Sequence, residues 1–324
     1  MVAVPALPAS RQLRVGQHLL VRLSALTLFL LGAIVVTGAA VRLTGSGLGC
    51  PTWPECTDTS LVNTRAYGIH GFIEFGNRLI TTAVFLAIAA TTVVAAWTAR
   101  RTGNRQAIWL CGGLVLGYVG QAVLGGITVL FDLAPLFVAA HFLLSMVLIV
   151  NAAALLTSVE RTTAPAAAAT GTTPRAWRLL ILALALTSAL VLVAGTMVTG
   201  AGPHSGGSLH TPRLPFSARS ATQLHADLAF LLCGLTIAAA ATSRLVRVTR
   251  TTRRRVDTVV GLVIAQIVLG LVQYALAVPP VLVLAHVALA TALFTVAVRL
   301  TQGAAEQQPA PAADPTAEQV LVSR

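Results

Sequence analysis

The sequence predicts an all-α membrane protein of eight transmembrane helices, arranged as two pseudo-repeated four-helix bundles. Three observations predict it: eight apolar runs of membrane-spanning length, an arginine bias that alternates from loop to loop, and an internal repeat. The 324 residues are 56% hydrophobic and 10% charged, with a mean hydropathy of +0.82. A soluble domain carries about 25% charged residues. The composition therefore makes lipid the solvent for most of the chain.

The apolar runs cover roughly residues 20–43, 69–98, 107–131, 135–157, 178–200, 221–243, 257–278 and 280–300. A helix needs about 20 apolar residues to cross a bilayer, and each run is near that length. Short turns around Asp132 and Pro135, and at Pro279 and Pro280, make helical hairpins of the third with the fourth run and of the seventh with the eighth. The organisation is then a cytoplasmic N-terminal segment (1–19), a first four-helix half (20–157), a cytoplasmic linker rich in Ala and Thr (158–177), a second four-helix half (178–300) and a tail (301–324). The tail's Ala, Pro and Gln content reads as disordered.

The net charge is +12, and all the basic residues are arginines. A basic chain can point to nucleic acid, but these arginines sit in short loops between apolar runs, so no nucleic-acid partner is expected. Arg11, Arg14 and Arg22 precede or open the first run. Arg100, Arg101 and Arg105 follow the second, Arg161 and Arg175 the fourth, and Arg244, Arg247, Arg250, Arg253, Arg254 and Arg255 the sixth. The opposite loops hold Arg65, Arg213 and Arg219, with Arg42 near a helix end. The positive-inside rule then puts both termini in the cytoplasm of a multi-pass plasma-membrane protein. The first run is too long for a signal peptide and lacks a cleavage site.

The repeat is gapless over the hairpins. Residues 121–144 match 266–289, pairing Gln121 with Gln266, Gly125 with Gly270, Pro135 with Pro280 and His141 with His286. Thr44-Gly45-Ser46-Gly47 likewise resembles Thr199-Gly200-Ala201-Gly202. Two halves of like orientation imply two similar sites, one per half.

Ionisable groups inside a membrane are costly, so each is a functional candidate. His141 and His286 lie at matched depth in the fourth and eighth helices, and His225 lies near that depth in the sixth. The second helix carries His70, Glu74, Asn77 and Arg78. All four helices start from the outer side, so these groups form one layer in the outer half of the bilayer. Two histidines on facing helices can supply both axial ligands of a heme iron. His225 with His286 makes one pair; His141 and the second helix make the other. A lone membrane histidine can instead simply bond a neighbouring helix, but recurrence at matched repeat positions favours the ligand reading. His204 and His210 fall in an outer loop and His18 on the cytoplasmic side, and none is assigned a role.

His70, Glu74 and Asn77 share one helix face. A buried carboxylate such as Glu74 suits proton transfer; its alternative role is an ion pair with Arg78, one turn on. Cys50 and Cys56 flank Pro-Thr-Trp-Pro-Glu in the first outer loop. A disulfide there is compatible with an oxidising compartment, either as a redox-active or as a structural bond. Cys111 and Cys233, inside helices, read as packing residues.

Thr44 to Cys56 resembles the first outer loop of heme A synthases. Ile73-Glu74-Phe75-Gly76-Asn77-Arg78-Leu79 is similar to that family's second-helix Glu-x-x-His-Arg motif. Leu124 to Val129 with Ala140-His141, and Val198 to His204, are similar as well. The resemblance covers about residues 20–300. It implies oxidation of the C8 methyl of heme O to the formyl group of heme A, with substrate in the first half and a heme B cofactor in the second. It also implies heme B ligation by His225 and His286, a substrate-heme ligand at His141, a catalytic acid at Glu74 and an outer cysteine pair at Cys50 and Cys56. The partners it implies are heme O, the heme O synthase that makes it, an electron acceptor and membrane lipid, with a homo-oligomer also considered.

One position departs from the pattern: the family's second-helix histidine falls on Asn77, a poor iron ligand. His70, about 10 Å away along the helix axis, is the candidate replacement, and the 155-residue offset of Thr44 from Thr199 carries His70 onto His225. The competing readings are a diheme electron carrier of cytochrome b type and a transporter. The clustering of polar groups near one face argues against a transporter's central pathway.

Overall fold

In the computed structural model, which is described for residues 9–48, 68–163, 174–203 and 213–305, eight helices follow one another. They are α1 (Ala9–Leu43), α2 (Gly68–Thr102), α3 (Arg105–Leu130), α4 (Pro135–Thr163), α5 (Arg175–Ala201), α6 (Ala218–Leu245), α7 (Arg250–Ala275) and α8 (Pro280–Ala305). Each is long and apolar enough to cross a membrane, and no strand occurs among the described residues. The chain is a multi-pass membrane protein.

The helices outrun the apolar runs at their arginine-rich ends. α1 starts at Ala9 rather than near residue 20, α4 and α5 shorten the 158–177 connection from both sides, and α8 reaches Ala305. Hydropathy marks only the part of a helix that lies in hydrocarbon. The backbone keeps its i to i−4 bonds for further turns outside it.

Neighbours in sequence pack as neighbours in space. α1, α2, α3 and α4 close one ring and α5, α6, α7 and α8 a second; α2 and α4 stand diagonally in the first without backbone contact, as do α6 and α8 in the second. The rings meet through α1 with α8, α4 with α5, and α4 with α8. One apolar cluster fills the first ring around Leu114, Ile149 and Leu155 and draws in Phe294 and Val298 of α8; the other fills the second ring around Trp177, Ile181, Leu184 and Leu300.

The repeat extends to backbone detail. Asp132 and Leu133 carry positive φ (50° and 58°), and so do their repeat mates Ala277 and Val278 (58° and 61°). Leu133 N–H bonds the Thr128 carbonyl at 2.9 Å, and Val278 N–H bonds that of Gln273 at 2.8 Å. Asp132 N–H reaches Val129 and Ala277 N–H reaches Tyr274. These paired bonds make a Schellman end on α3 and on α7. Two successive left-handed residues without glycine are strained, and both hairpins hold the same strain. Pro135 and Pro280 then open the returning helices, where a proline's missing N–H costs nothing.

At the arginine-rich end the halves are joined by polar contacts between α4 and α8. Thr157 and Gln302, themselves repeat mates, bond at 2.9 Å. Arg299 pairs with Glu160 at 2.5 Å, and the Arg161 guanidinium donates to the Gln302 carbonyl. Glu160→Ala leaves a largely buried guanidinium without its carboxylate and should cost roughly 1–3 kcal/mol, between exposed and buried pairs. Adding Arg299→Met should recover part of the loss. Thermal unfolding in detergent reads both, and identical melting of wild type and Glu160→Ala would remove this pair as a tie between halves.

Candidate functional site

The diagonal arrangement leaves α6 and α8 facing each other across a gap that side chains must span. His225 and His286 span it: their ring centroids are 6.2 Å apart, with planes inclined at 57°. Nitrogen–metal bonds of about 2.0–2.1 Å, with each ring centre about 1 Å further out, put two opposed imidazole ligands roughly 6 Å apart. The spacing therefore fits one metal between the rings.

The polar surroundings support that use. His225 Nδ1 lies 3.1 Å from the Val191 carbonyl on α5. A carbonyl only accepts, so Nδ1 carries the proton and the lone pair rests on Nε2, the arrangement that orients a metal-binding histidine. His286 is anchored through its backbone, whose carbonyl accepts from the Gln266 side chain at 3.0 Å. Gln121 does the same for His141 at 3.2 Å and also donates to Ser145 at 2.7 Å. The Nδ1 atoms of His141 and His286 are buried without a hydrogen-bond partner. Buried polar atoms rarely remain so, and here the same unpartnered nitrogen recurs at the matched position of each half.

Each of these three histidines also lies against a glycine. A Cβ on Gly125 would stand 3.1 Å from His141 Cε1, on Gly195 3.4 Å from His225 Cε1, and on Gly270 4.0 Å from His286 Cε1. Each imidazole thus packs on the preceding helix, and at Gly125 the approach is closer than an ordinary Cβ contact.

The second helix is arranged differently. Glu74 is buried and forms the ion pair with Arg78 at 2.8 Å. Asn77 Oδ1 accepts from the Thr37 hydroxyl on α1 at 2.8 Å. His70 is exposed, and its Nδ1 lies 3.0 Å from Ser46 Oγ, which in turn meets Thr44 at 2.8 Å. These contacts define depth. With the 155-residue offset between α1 and α5, the His225 partners Val191 and Gly195 match Val36 and Ala40. Thr37, the partner of Asn77, is one residue from Val36, whereas Ser46 lies at the far end of α1. Asn77, rather than His70, therefore stands at the level of His225. The connection between α1 and α2 is longer than that between α5 and α6, so the offset shrinks across it, and the ungapped match of His70 to His225 does not survive in space.

The structure thus brings His225 to His286 and Glu74 to Arg78, and places His70 about two turns nearer the arginine-poor end than Asn77. Cys50, Cys56, His204 and His210 lie outside the described residues. Cys111 is buried and Cys233 half-buried, both as free thiols. Sequence reasoning did not identify the glycine seats, the Val191 carbonyl or the glutamine anchors. Gln121 with Gln266 and Gly125 with Gly270 were visible as repeat matches, and their constant spacing to the histidines was the available signal.

Fold and site together define a membrane-embedded protein of two like-oriented four-helix halves with half-buried imidazole positions near one end. The chain belongs to the cytochrome oxidase assembly protein family (COX15-CtaA), whose model matches residues 21–298. It is similar to a heme A synthase of Lysinibacillus sphaericus strain C3-41, at 34% identity over 116 residues, which is 35% of this chain and 36% of that protein. A heme A synthase of Geobacillus kaustophilus strain HTA426 is 31% identical over 137 residues, 42% of each chain. One of Geobacillus thermodenitrificans has the same identity and coverage. The aligned stretches thus span about two-fifths of these relatives.

Proposed function

We propose that the chain is a heme A synthase, which oxidises the C8 methyl of heme O to the formyl group of heme A by two hydroxylations and loss of water. The observation that carries this reading is the pair His225 and His286 at 6.2 Å across diagonal helices, within a family whose similar members are named for that activity. In this reading the second half holds a heme B cofactor and the first half holds the substrate. Heme B, when bound, supplies one-electron transfer.

The residues divide the remaining work. His225 and His286 hold the cofactor iron, with the Val191 carbonyl keeping His225 Nε2 free of its proton. His141 holds the substrate iron from α4. Glu74 accepts protons at its carboxylate oxygens, and Arg78 orients that carboxylate through the ion pair. Cys50 and Cys56 act as a redox-active pair on the outer side, where they relay electrons to an acceptor. Both termini lie in the cytoplasm, a reading the arginine bias supports, and the membrane is the plasma membrane. Heme O is handed over within the lipid by the synthase that makes it.

Heme extracted from the purified protein, read as pyridine hemochromes, tests the reading: heme B accompanied by heme O or heme A is expected. Heme B alone, with no heme A formed from supplied heme O, would leave an electron carrier instead.

His225→Ala and His286→Ala should each remove the low-spin heme B signal and lower heme A formation at least tenfold, and unchanged spectra in both would refute the ligand assignment. Glu74→Gln keeps shape but takes no proton, so heme A formation should fall by about 10²–10⁴, the usual worth of a positioned proton acceptor, with heme B retained. Near-normal turnover would leave Glu74 a structural partner of Arg78 only.

A further inference from the structure

Three of the four repeat-related positions around the two diagonal gaps carry a histidine seated on a glycine: His141 on Gly125, His225 on Gly195 and His286 on Gly270. The fourth carries neither. Asn77 stands at the level of His225, and the residue matching Gly195 is Ala40. A Cβ on Gly195 would meet His225 at ordinary contact distance, so it is Asn77 rather than Ala40 that leaves this corner without an imidazole.

Asn77 is not a substitute ligand. Its Oδ1 already accepts from Thr37 at 2.8 Å, and the lone pair that remains is that of a neutral amide oxygen, which suits harder cations than an imidazole-bound iron. The rest of the carboxamide is an NH2 group, which donates and holds no lone pair for a metal. His70 does not fill the corner either, because it sits about 10 Å further along the axis, exposed, with Nδ1 at Ser46. Glu74, three residues before Asn77 and therefore on the same side of α2, is buried.

We propose that the first half is a one-histidine iron site, with His141 on one side and on the other an open position for water or a similarly small exogenous ligand, to which the Asn77 amide N–H donates. This rests on the heme reading above and adds to it that the two halves differ in coordination: closed in the second, open in the first. Asn77 is a positioning residue, fixed by Thr37, and the open position lies beside the Glu74 carboxylate, the group assigned to accept protons.

The full chain in detergent, titrated with hemin to saturation, tests this without reference to turnover. Two hemes per chain are expected. One is low-spin and inert to carbon monoxide after reduction, and is lost in His286→Ala. The other is high-spin or water-ligated, binds carbon monoxide and is lost in His141→Ala. Asn77→His should convert the second heme to low-spin and reduce carbon monoxide binding at least tenfold. Asn77→Ala should retain binding but speed carbon monoxide release several-fold. His70→Ala should change neither spin state nor carbon monoxide binding. Two low-spin, inert hemes in the wild type would overturn the proposal while leaving the heme reading intact. So would a low-spin heme that turns high-spin in His70→Ala, or uptake of a single heme lost in His286→Ala. Failure to take up any heme would instead sink the reading on which it rests.

Discussion

Hydrocarbon offers the chain no hydrogen-bond partner, and each polar group within it must find one inside the protein or go without. That constraint produces the helices, and then disposes of most hydroxyls. Thr91, Thr98, Thr128, Ser188, Thr199, Thr236 and Thr291 all donate to the carbonyl four residues earlier on their own helix. Thr27 and Thr91 also meet across α1 and α2 at 2.9 Å. Against this background of local satisfaction, the buried atoms without partners stand out. The Nδ1 atoms of His141 and His286 and the Oε1 atoms of Gln121 and Gln266 are repeat-related pairs. The fold tolerates the same cost twice, at the same place, in each half.

The repeat also explains why two helices without backbone contact can bring side chains together. A ring of four helices holds its neighbours by ordinary packing and leaves its diagonal open. Each imidazole that reaches into that diagonal lies against a glycine of the preceding helix. In the second half the result is a pair of rings with room for one atom between them. In the first half the same scaffold is spent differently, on a carboxamide held by a threonine and a carboxylate held by an arginine.

Fold class was legible because its signals are long-range sums: apolar runs of fixed length, arginine bias, and a gapless match over two hairpins. Helix ends were less so, since hydropathy stops at the edge of lipid while the backbone bonds of α1, α4 and α5 do not. Of the candidate site, His141, Glu74, His225 and His286 could be singled out in the sequence because ionisable groups are rare in apolar runs. Depth on α2 could not. An ungapped offset favoured His70, and only the contacts of Thr37 with Asn77 and of Ser46 with His70 reveal that the longer connection ahead of α2 has shifted the register. The Val191 carbonyl was invisible for a simpler reason: a backbone acceptor has no letter of its own.

The number of helices in each ring has a consequence for how such a molecule can arise and be taken apart. Four crossings return the polypeptide to the side from which it set out. A duplicated gene could therefore be fused end to end with no inversion and no added crossing, and each copy could begin to diverge as soon as it was joined. An odd count would have turned the second copy upside down and put its imidazoles at the opposite face. Parity also means that a break between α4 and α5 would yield two polypeptides that thread the bilayer in the same sense, so the halves could be made separately and paired by co-expression.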